Sequence, residues 1–171
     1  MRVVVLDTSA FIMGFNPSGT SGAYTVEEVE KELLQGTTPY LRLQTSKEKG
    51  DLRIQEPSSQ SRKRIEGAAG ETGDRGQLSS ADMSIVALAL DLKDSGEEPV
   101  IVSDDYSVQN LAEHLGLKYE ALASFGIVHK FRWMMYCPAC GRRFSEPGKK
   151  CPVCGTDLKR RVVSKTRVVK E

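Results

Sequence analysis

The sequence has no long hydrophobic run, no cysteine before residue 137 and almost no net charge. Its longest apolar stretch, Met83 to Leu90, is interrupted by Ser84 and is far too short to cross a bilayer. The amino-terminal apolar stretch stops at Leu6, which is too early for a secretory signal. We therefore expect a cytoplasmic protein that has no membrane partner.

The near absence of net charge hides an asymmetry along the chain. Residues 1–128 carry 12 Lys and Arg against 20 Asp and Glu, a net charge of −8. Residues 129–171 carry 12 Lys and Arg against 3 Asp and Glu, a net charge of +9. This division predicts an acidic domain that can gather cations and a basic module that can bind phosphates.

Length and composition indicate one ordinary domain and a small module. A chain of 171 residues with 39% hydrophobic and 27% charged side chains can bury a real core, which excludes a wholly disordered or collagen-like protein. We predict four parts: a domain at 1–125, a linker at 126–134, a small cysteine module at 135–160 and a basic tail at 161–171.

Strand and helix signals alternate in the first 125 residues. Short apolar runs at 2–6 and 99–103 are typical of strands that are buried on both faces. Helical periodicity occurs at 25–35, 80–92 and 107–115. The alternation favours an α/β domain with a mainly parallel sheet.

Residues 37–78 form the part of the chain with the weakest pattern. A strand is possible at 52–55 and a polar helix at 59–69. The segment is long and polar for a compact domain, so we expect it to be functional or partly disordered.

Two Cys-x-x-Cys pairs, Cys137 with Cys140 and Cys151 with Cys154, are separated by ten residues. Two tight turns that each present two thiolates can close a tetrahedral shell around one Zn²⁺ ion. An iron site of similar geometry stays open, whereas two disulfides are disfavoured in a cytosolic chain. Since four thiolates leave no open coordination position, this zinc is expected to be structural and not catalytic.

Basic and aromatic residues surround the cysteines. This interleaving suits single-stranded or looped RNA, because bases stack on aromatic rings while phosphates meet cations. The alternative is that Trp133 and Tyr136 pack at the domain junction. The predicted RNA-binding residues are Arg132, Trp133, Tyr136, Arg142, Arg143, Lys149, Lys150, Lys159, Arg160 and Arg161.

Acidic residues follow both predicted buried strands. Asp7 comes directly after residues 2–6, and Asp104 and Asp105 follow residues 99–103. The carboxyl ends of parallel strands meet at one edge, where ligands bind, so these acids are expected to converge. Carboxylate oxygens suit Mg²⁺ or Mn²⁺. Asp104 could alternatively be a turn residue.

Acids on two predicted helices could join this site. Glu28 and Glu32 lie four residues apart on one helix face, and Asp82 lies in the first turn of the helix at 80–92. Structural roles compete with metal binding here. Glu28 fits a capping box with Thr25, which we favour for it, and Asp82 could cap its helix together with Ser79.

Several short blocks together resemble the acidic motifs of PIN-domain ribonucleases. The blocks are residues 3–9, the helix at Glu32-Leu33, residues 78–82 and residues 101–105. The block at residues 24–33 and the appended cysteine module sharpen the resemblance to the archaeal Nob family, an endonuclease that matures the 3′ end of small-subunit ribosomal RNA.

The resemblance implies a PIN-like α/β domain with a mainly parallel central sheet flanked by helices, followed by a C-terminal zinc ribbon. It also implies that Asp7, Glu32, Asp82 and Asp105 are catalytic metal-site acids. Ser103-Asp104-Asp105 resembles the family's Thr-x-Asp, which selects Asp105, although Asp104 stays open as a ligand.

The expected chemistry is hydrolysis of an RNA phosphodiester with one or two Mg²⁺ or Mn²⁺ ions. The expected substrate is precursor small-subunit ribosomal RNA, with the pre-ribosomal subunit as a partner. The alternatives are a non-catalytic RNA-binding scaffold with a zinc ribbon, or a PIN ribonuclease that acts on another RNA. A phosphatase with an aspartyl nucleophile is disfavoured, because its second acid is replaced by Ser9.

Overall fold

The computed structural model describes residues 1–72, 76–122, 129–144 and 148–167, which form a five-stranded and a three-stranded sheet. The five-stranded sheet has the order β3-β2-β1-β4-β5, and every neighbouring pair in it is parallel. Its strands are β1 (Arg2–Leu6), β2 (Ala23–Thr25), β3 (Arg53–Ile54), β4 (Glu98–Val102) and β5 (Lys118–Glu120).

The order of the strands reverses at β1, which lies between β2 and β4. Leu6 is in register with Val102, so β1 and β4 end side by side. In open parallel sheets, the crevice at such a reversal binds the ligand. The strand order therefore points to the residues that follow β1 and β4.

Helices connect the strands and cover the sheet. They are α1 (Thr8–Met13), α2 (Glu27–Glu32), α3 (Thr38–Glu48), α4 (Ser59–Thr72), α5 (Ser80–Asp94) and α6 (Tyr106–His114). As its sequence predicts, α5 is mostly buried, and it contacts β1, β4, α4 and α6. Among the described residues, no helix is both long and apolar enough to cross a membrane.

The predicted helix at 25–35 is shorter than expected. Thr25 ends strand β2, and its buried Oγ1 donates a hydrogen bond to the Leu6 carbonyl at 2.8 Å. Helix α2 begins at Glu27, and its N-cap residue Val26 makes no side-chain cap hydrogen bond. The predicted capping box of Thr25 and Glu28 is therefore wrong, because the threonine hydroxyl is used inside the sheet.

Most of the segment at 37–78, which the sequence predicts to be functional or partly disordered, is regular secondary structure. It contains α3, β3 and α4, and the predicted strand and polar helix both exist. Residues 73–75 lie outside the described residues. Each of the two helices buries only a few large side chains, Leu43 in α3 and Ile65 in α4, so the hydrophobic signal in the sequence is weak.

The cysteine module extends beyond its predicted bounds. Its antiparallel sheet has the order β7-β6-β8, built from β6 (His129–Tyr136), β7 (Arg143–Phe144) and β8 (Lys159–Arg167). Residues 129–134, predicted as linker, are the first part of β6, and 161–167, predicted as tail, belong to β8. Strand β6 also contacts α4 and α6, which attaches the module to the first domain.

The start of α4 depends on one carboxylate of α5. Asp91 accepts hydrogen bonds from the Ser58 backbone N–H at 2.6 Å and from the Ser61 Oγ at 2.6 Å. Burial alone would raise the pKa of Asp91, but these hydrogen bonds and the charge of Arg64 outweigh it and lower that pKa. Asp91 is therefore ionised at neutral pH and joins two helices.

We predict that Asp91→Ala lowers the free energy of unfolding at pH 7 by about 1–3 kcal/mol, because it leaves these donors unpaired. Because the pKa of Asp91 is lower in the folded state than in the unfolded state, its carboxylate stabilises the fold at pH values above the unfolded-state pKa of about 4. This stabilisation is lost as the pH falls through the folded-state pKa. Urea unfolding at a series of pH values from 7 downward should show a deficit that shrinks as the pH falls through the folded-state pKa of Asp91. The control is Asp94→Ala, which removes an exposed ion pair with Arg64; equal losses in both variants would contradict the prediction.

Candidate functional site

Asp7 lies directly after β1 and is only 4% exposed. Its Oδ1 accepts the Thr8 backbone N–H at 2.7 Å, which caps α1. Its Oδ2 accepts hydrogen bonds from the Ser103 Oγ at 2.7 Å and the Ser9 Oγ at 3.1 Å. The carboxylate is thus held at the edge where β1 and β4 end.

The same two hydroxyls hold the acidic loop that follows β4. The backbone N–H of Asp104 donates to the Ser9 Oγ, and that of Asp105 donates to the Ser103 Oγ, both at 3.1 Å. Each hydroxyl therefore links a backbone amide of the loop to the carboxylate of Asp7. The serines position acidic residues, in the way that turn-capping hydroxyls do.

The two adjacent acids of this loop have different surroundings. The Asp104 Oδ1 accepts the Leu122 backbone N–H at 2.9 Å, beyond the end of β5. The Asp105 Oδ1 accepts the Ser107 backbone N–H at 2.6 Å and caps α6. Burial, and in addition the charge of Asp105, raises the pKa of Asp82. Asp105 therefore interacts with the helical acid.

Glu32 and Asp82 meet at the start of α5. Glu32, the last residue of α2, accepts hydrogen bonds from the Thr8 Oγ1 at 2.6 Å and the Ser79 Oγ at 3.4 Å. The Asp82 Oδ2 accepts the Ser79 backbone N–H at 2.7 Å. Ser79 and Asp82 form the capping box that the sequence predicts as the structural alternative for Asp82. Ser79 thus contacts both acids and joins α2 to α5.

The electrostatics of two of the four acids, Asp7 and Asp82, are unfavourable in the protein alone. Burial, and in addition the charge of Asp82, raise the pKa of Asp7. Burial, and in addition the charges of Asp105 and Glu32, raise the pKa of Asp82. Among the described residues, no lysine or arginine forms an ion pair with any of the four. Repulsion of this kind is relieved when a cation binds.

The donor set fits a hard divalent cation. Asp7, Glu32, Asp82 and Asp105 offer carboxylate oxygens only, which Mg²⁺ and Mn²⁺ prefer over the softer transition metals. The hydrogen bonds to Asp7 and Glu32 fix the orientation of these groups, as outer-shell partners do in metal sites.

Among the described residues, the four cysteines are the only group of three or more His, Cys, Asp and Glu side chains whose ligand atoms lie close enough to share a metal ion, all sulfurs lying within 4.8 Å of one another. No three of the carboxylates of Asp7, Glu32, Asp82 and Asp105 are that close together. The Sγ atoms of Cys137 and Cys154 are 3.3 Å apart, and those of Cys140 and Cys151 are 3.7 Å apart. A tetrahedron with Zn–S bonds of about 2.3 Å has edges of about 3.8 Å. All four cysteines are free, so the disulfide alternative is wrong.

The two cysteine turns repeat one backbone pattern. Gly141 and Gly155 donate to the carbonyls of Cys137 and Cys151, both at 2.9 Å, with φ angles of 70° and 72°. Glycine adopts this left-handed conformation without the steric cost of a Cβ atom. The glycine after each pair is therefore explained by the turn itself.

The predicted RNA-binding residues lie on the ribbon. The guanidinium of Arg160 stacks over the Trp133 ring at 4.1 Å from its centroid, and both side chains are half-buried. Packing on the arginine therefore accounts for one part of the tryptophan surface. Arg132 lies in β6, but its side chain is outside the described ones. Arg142, Arg143, Lys149, Lys150, Lys159 and Arg161 are exposed.

A groove of about 400 Å³ runs along the ribbon next to the first cysteine turn. Tyr136, Arg143, Arg161 and Met134 contribute to its walls. The groove combines an aromatic ring with two cations, the pairing that single-stranded nucleic acid requires.

Residues 4–92 match the family model described as the PIN domain of ribonuclease. The chain belongs to the PIN-domain ribonuclease family. It is 38% identical over 158 residues to "Endoribonuclease Nob1" of Pyrococcus abyssi, covering 91% of each chain. It is 33% identical over 159 residues to the protein of that name from Methanothermobacter thermautotrophicus, covering 92% of this chain and 91% of the other. The Archaeoglobus fulgidus protein of that name is 34% identical over 158 residues, with 92% and 89% covered.

These findings confirm the family and the fold predicted from the acidic blocks and the cysteine spacing. PIN nucleases use a divalent metal, and the four cysteines can bind a zinc ion. Sequence reasoning missed the cross-link from Thr8 to Glu32 and the contacts of Glu28, which accepts hydrogen bonds from Arg62 and Ser84. The position of Thr8, directly after Asp7, is a sequence signal for the cross-link to Glu32. The contacts of Glu28 have no such signal, because they join residues far apart in sequence.

Cys137→Ser is expected to weaken the binding of added Zn²⁺ and to unfold the ribbon, because metal binding supplies the folding free energy of so small a module. Zinc content per chain and amide NMR signals of the ribbon measure this. The neighbouring variant Arg142→Gln should keep both. Full zinc content with unchanged ribbon signals in Cys137→Ser would contradict a four-cysteine site.

Asp82→Asn is expected to raise the melting temperature of protein that holds zinc but has been freed of Mg²⁺ and Mn²⁺. A carboxylate with a raised folded-state pKa is destabilising above that pKa, so removing its charge at pH 7 is stabilising. Asparagine can still accept the Ser79 N–H. Added Mn²⁺ should then stabilise the wild type more than the variant. The control is Glu48→Gln on α3; a lower melting temperature for Asp82→Asn would contradict the prediction.

Proposed function

We propose that this protein is a divalent-metal-dependent endoribonuclease that cleaves precursor small-subunit ribosomal RNA at its 3′ end during ribosome biogenesis. One observation carries the proposal: Asp7, Glu32, Asp82 and Asp105 interact at the carboxyl edge of the sheet with no described lysine or arginine paired to them. The names of the relatives and the PIN domain support an RNA substrate.

We assign one or two Mg²⁺ or Mn²⁺ ions to these four carboxylates. When bound, such an ion supplies activation of water and stabilises charge that develops on the scissile phosphate. Asp7 is held by Ser9 and Ser103, so its carboxylate is fixed before the ion binds. Asp105, whose charge acts on Asp82, is our candidate for the fourth ligand.

We assign RNA binding to the ribbon, because the acidic domain repels phosphates. The groove beside Tyr136, with Arg143 and Arg161, offers a ring for an unpaired base and two cations for its phosphates. Arg142, Lys149, Lys150 and Lys159 extend the cationic surface. One structural zinc ion held by the four cysteines supports this surface. Binding should therefore weaken steeply with salt.

The division of the chain follows from this assignment. The nuclease domain occupies residues 1–125, and the ribbon begins with β6 at residue 129. We place the activity in the cytoplasm, on a pre-ribosomal subunit that presents the 3′ end of its RNA.

Asp7→Asn and Asp105→Asn are each expected to lower the cleavage rate by at least about 100-fold, because they remove metal-ligand charge. The affinity for the same RNA, measured by fluorescence anisotropy, should change less than threefold, since the ribbon binds the RNA. The substrate is a precursor RNA that spans the 3′ end of the small-subunit RNA.

The matched control is Asp104→Asn, which keeps an acceptor for the Leu122 N–H and should retain cleavage. Undiminished cleavage by Asp7→Asn would contradict the proposed mechanism. Tight RNA binding by a wild-type protein that cleaves no RNA at any Mn²⁺ concentration would favour a non-catalytic scaffold. Cleavage of unrelated RNAs at the same rate would favour a less specific ribonuclease.

A further inference from the structure

Arg62 of α4 sits at a junction between α2 and α5, the two helices that carry Glu32 and Asp82. Its Nη1 donates to the Glu28 Oε1 at 3.2 Å and to the Ser84 Oγ at 2.8 Å. The Ser84 Oγ in turn donates to the same Glu28 oxygen at 2.9 Å. Three elements thus meet in one closed set of hydrogen bonds.

The contacts on α2 and α5 lie close to the proposed metal ligands in sequence. Glu28 is one helical turn before Glu32, and Ser84 is two residues after Asp82. Two cross-links therefore join these helices, Glu28 to Ser84 and Glu32 to Ser79. The first of them involves no proposed metal ligand.

Helix α2 has little stability of its own. It contains six residues, and helices far longer than this are marginal in water without tertiary contacts. Its N-cap residue Val26 provides no side-chain hydrogen bond, but the Glu56 carboxylate accepts the Glu27 backbone N–H at 3.2 Å. Arg62 also forms an ion pair with Glu56. The arginine thus connects to the start and to the body of α2.

The contact between Arg62, Glu28 and Ser84 is partly buried. Ser84 is 1% exposed, and the side chains of Arg62 and Glu28 are 38% and 24% exposed. Burial alone would raise the pKa of Glu28, but its hydrogen bonds outweigh this and lower it, so the ion pair is intact at neutral pH. Partly buried pairs are screened less than surface pairs.

We propose that Arg62 is a positioning residue that holds α2 against α5 through Glu28 and Ser84 and thereby sets the spacing between Glu32 and Asp82. The inference rests on the proposed function, since it assigns those two acids to one metal site. Removing a group that bonds directly to a metal ligand commonly changes metal affinity or activity by about 10- to 100-fold. Arg62 acts one contact further from the ligands, so we expect an effect near the lower end of that range.

The test uses the full chain and three variants, Arg62→Met, Arg62→Lys and Ser84→Ala. For Arg62→Met we expect kcat to fall about 10-fold and the Mn²⁺ concentration for half-maximal cleavage to rise, with KM for RNA unchanged. Arg62→Lys should recover part of the loss, because its ammonium can donate to Glu28. Ser84→Ala should shift Mn²⁺ dependence in the same direction by a smaller factor.

The matched control is Arg64→Met on the same helix. Arg64 pairs with Asp94 at 2.6 Å, so this variant also breaks an α4–α5 contact, but one that involves no residue of α2. It should leave kcat and the Mn²⁺ dependence within twofold of wild type. A purely structural role of Arg62 predicts instead a lower melting temperature and a smaller active fraction with unchanged Mn²⁺ dependence, and that result overturns the proposal.

Direct Mn²⁺ titration by calorimetry separates this proposal from the proposed function. Weaker Mn²⁺ binding in Arg62→Met supports the positioning role even if the wild type cleaves no RNA. If Arg62→Met fails to fold, unchanged Mn²⁺ affinity in both Arg62→Lys and Ser84→Ala overturns the positioning role while leaving the nuclease assignment standing.

Discussion

A carboxylate that is 4% exposed at the end of a parallel strand needs compensation, and the compensation of Asp7 organises this edge of the molecule. Ser9 and Ser103 each donate to it, and each also accepts a backbone amide from the loop after β4. The acidic loop is therefore fixed by the same hydrogen bonds that satisfy Asp7. These contacts leave the repulsion from Asp82 in place, which is the part that a cation can relieve.

The edge of the sheet combines rigid and weakly supported elements. Helix α5 is buried along most of its length, so Asp82 is presented from a stable element. Helix α2 is a six-residue segment, and Glu32 at its end depends on contacts with Thr8 and Ser79. The position of Glu32 relative to Asp82 therefore depends on how α2 is held against α5, and the contacts of Arg62 contribute to holding it there.

The sequence predicted the elements whose pattern is set by burial or by metal chemistry. Strands β1 and β4 are continuous apolar runs, and the cysteine spacing matches the paired turns that the structure shows. The prediction that Thr25 caps a helix is wrong because its hydroxyl bonds to the neighbouring strand, and a local sequence pattern does not show this contact. The predicted ribbon is too short for a similar reason: residues 129–134 become a strand only by pairing with β8.

Anomalous diffraction from a crystal soaked in Mn²⁺ would show whether Asp7 and its neighbours hold a divalent cation. We predict a manganese peak bonded to Asp7 and to at least one of Glu32, Asp82 and Asp105, with Asp104 still bound to the amide of Leu122. A saturated soak with no peak at the carboxyl edge of β1 and β4, or a peak that contacts Asp104 and leaves Asp7 unbonded, would contradict it.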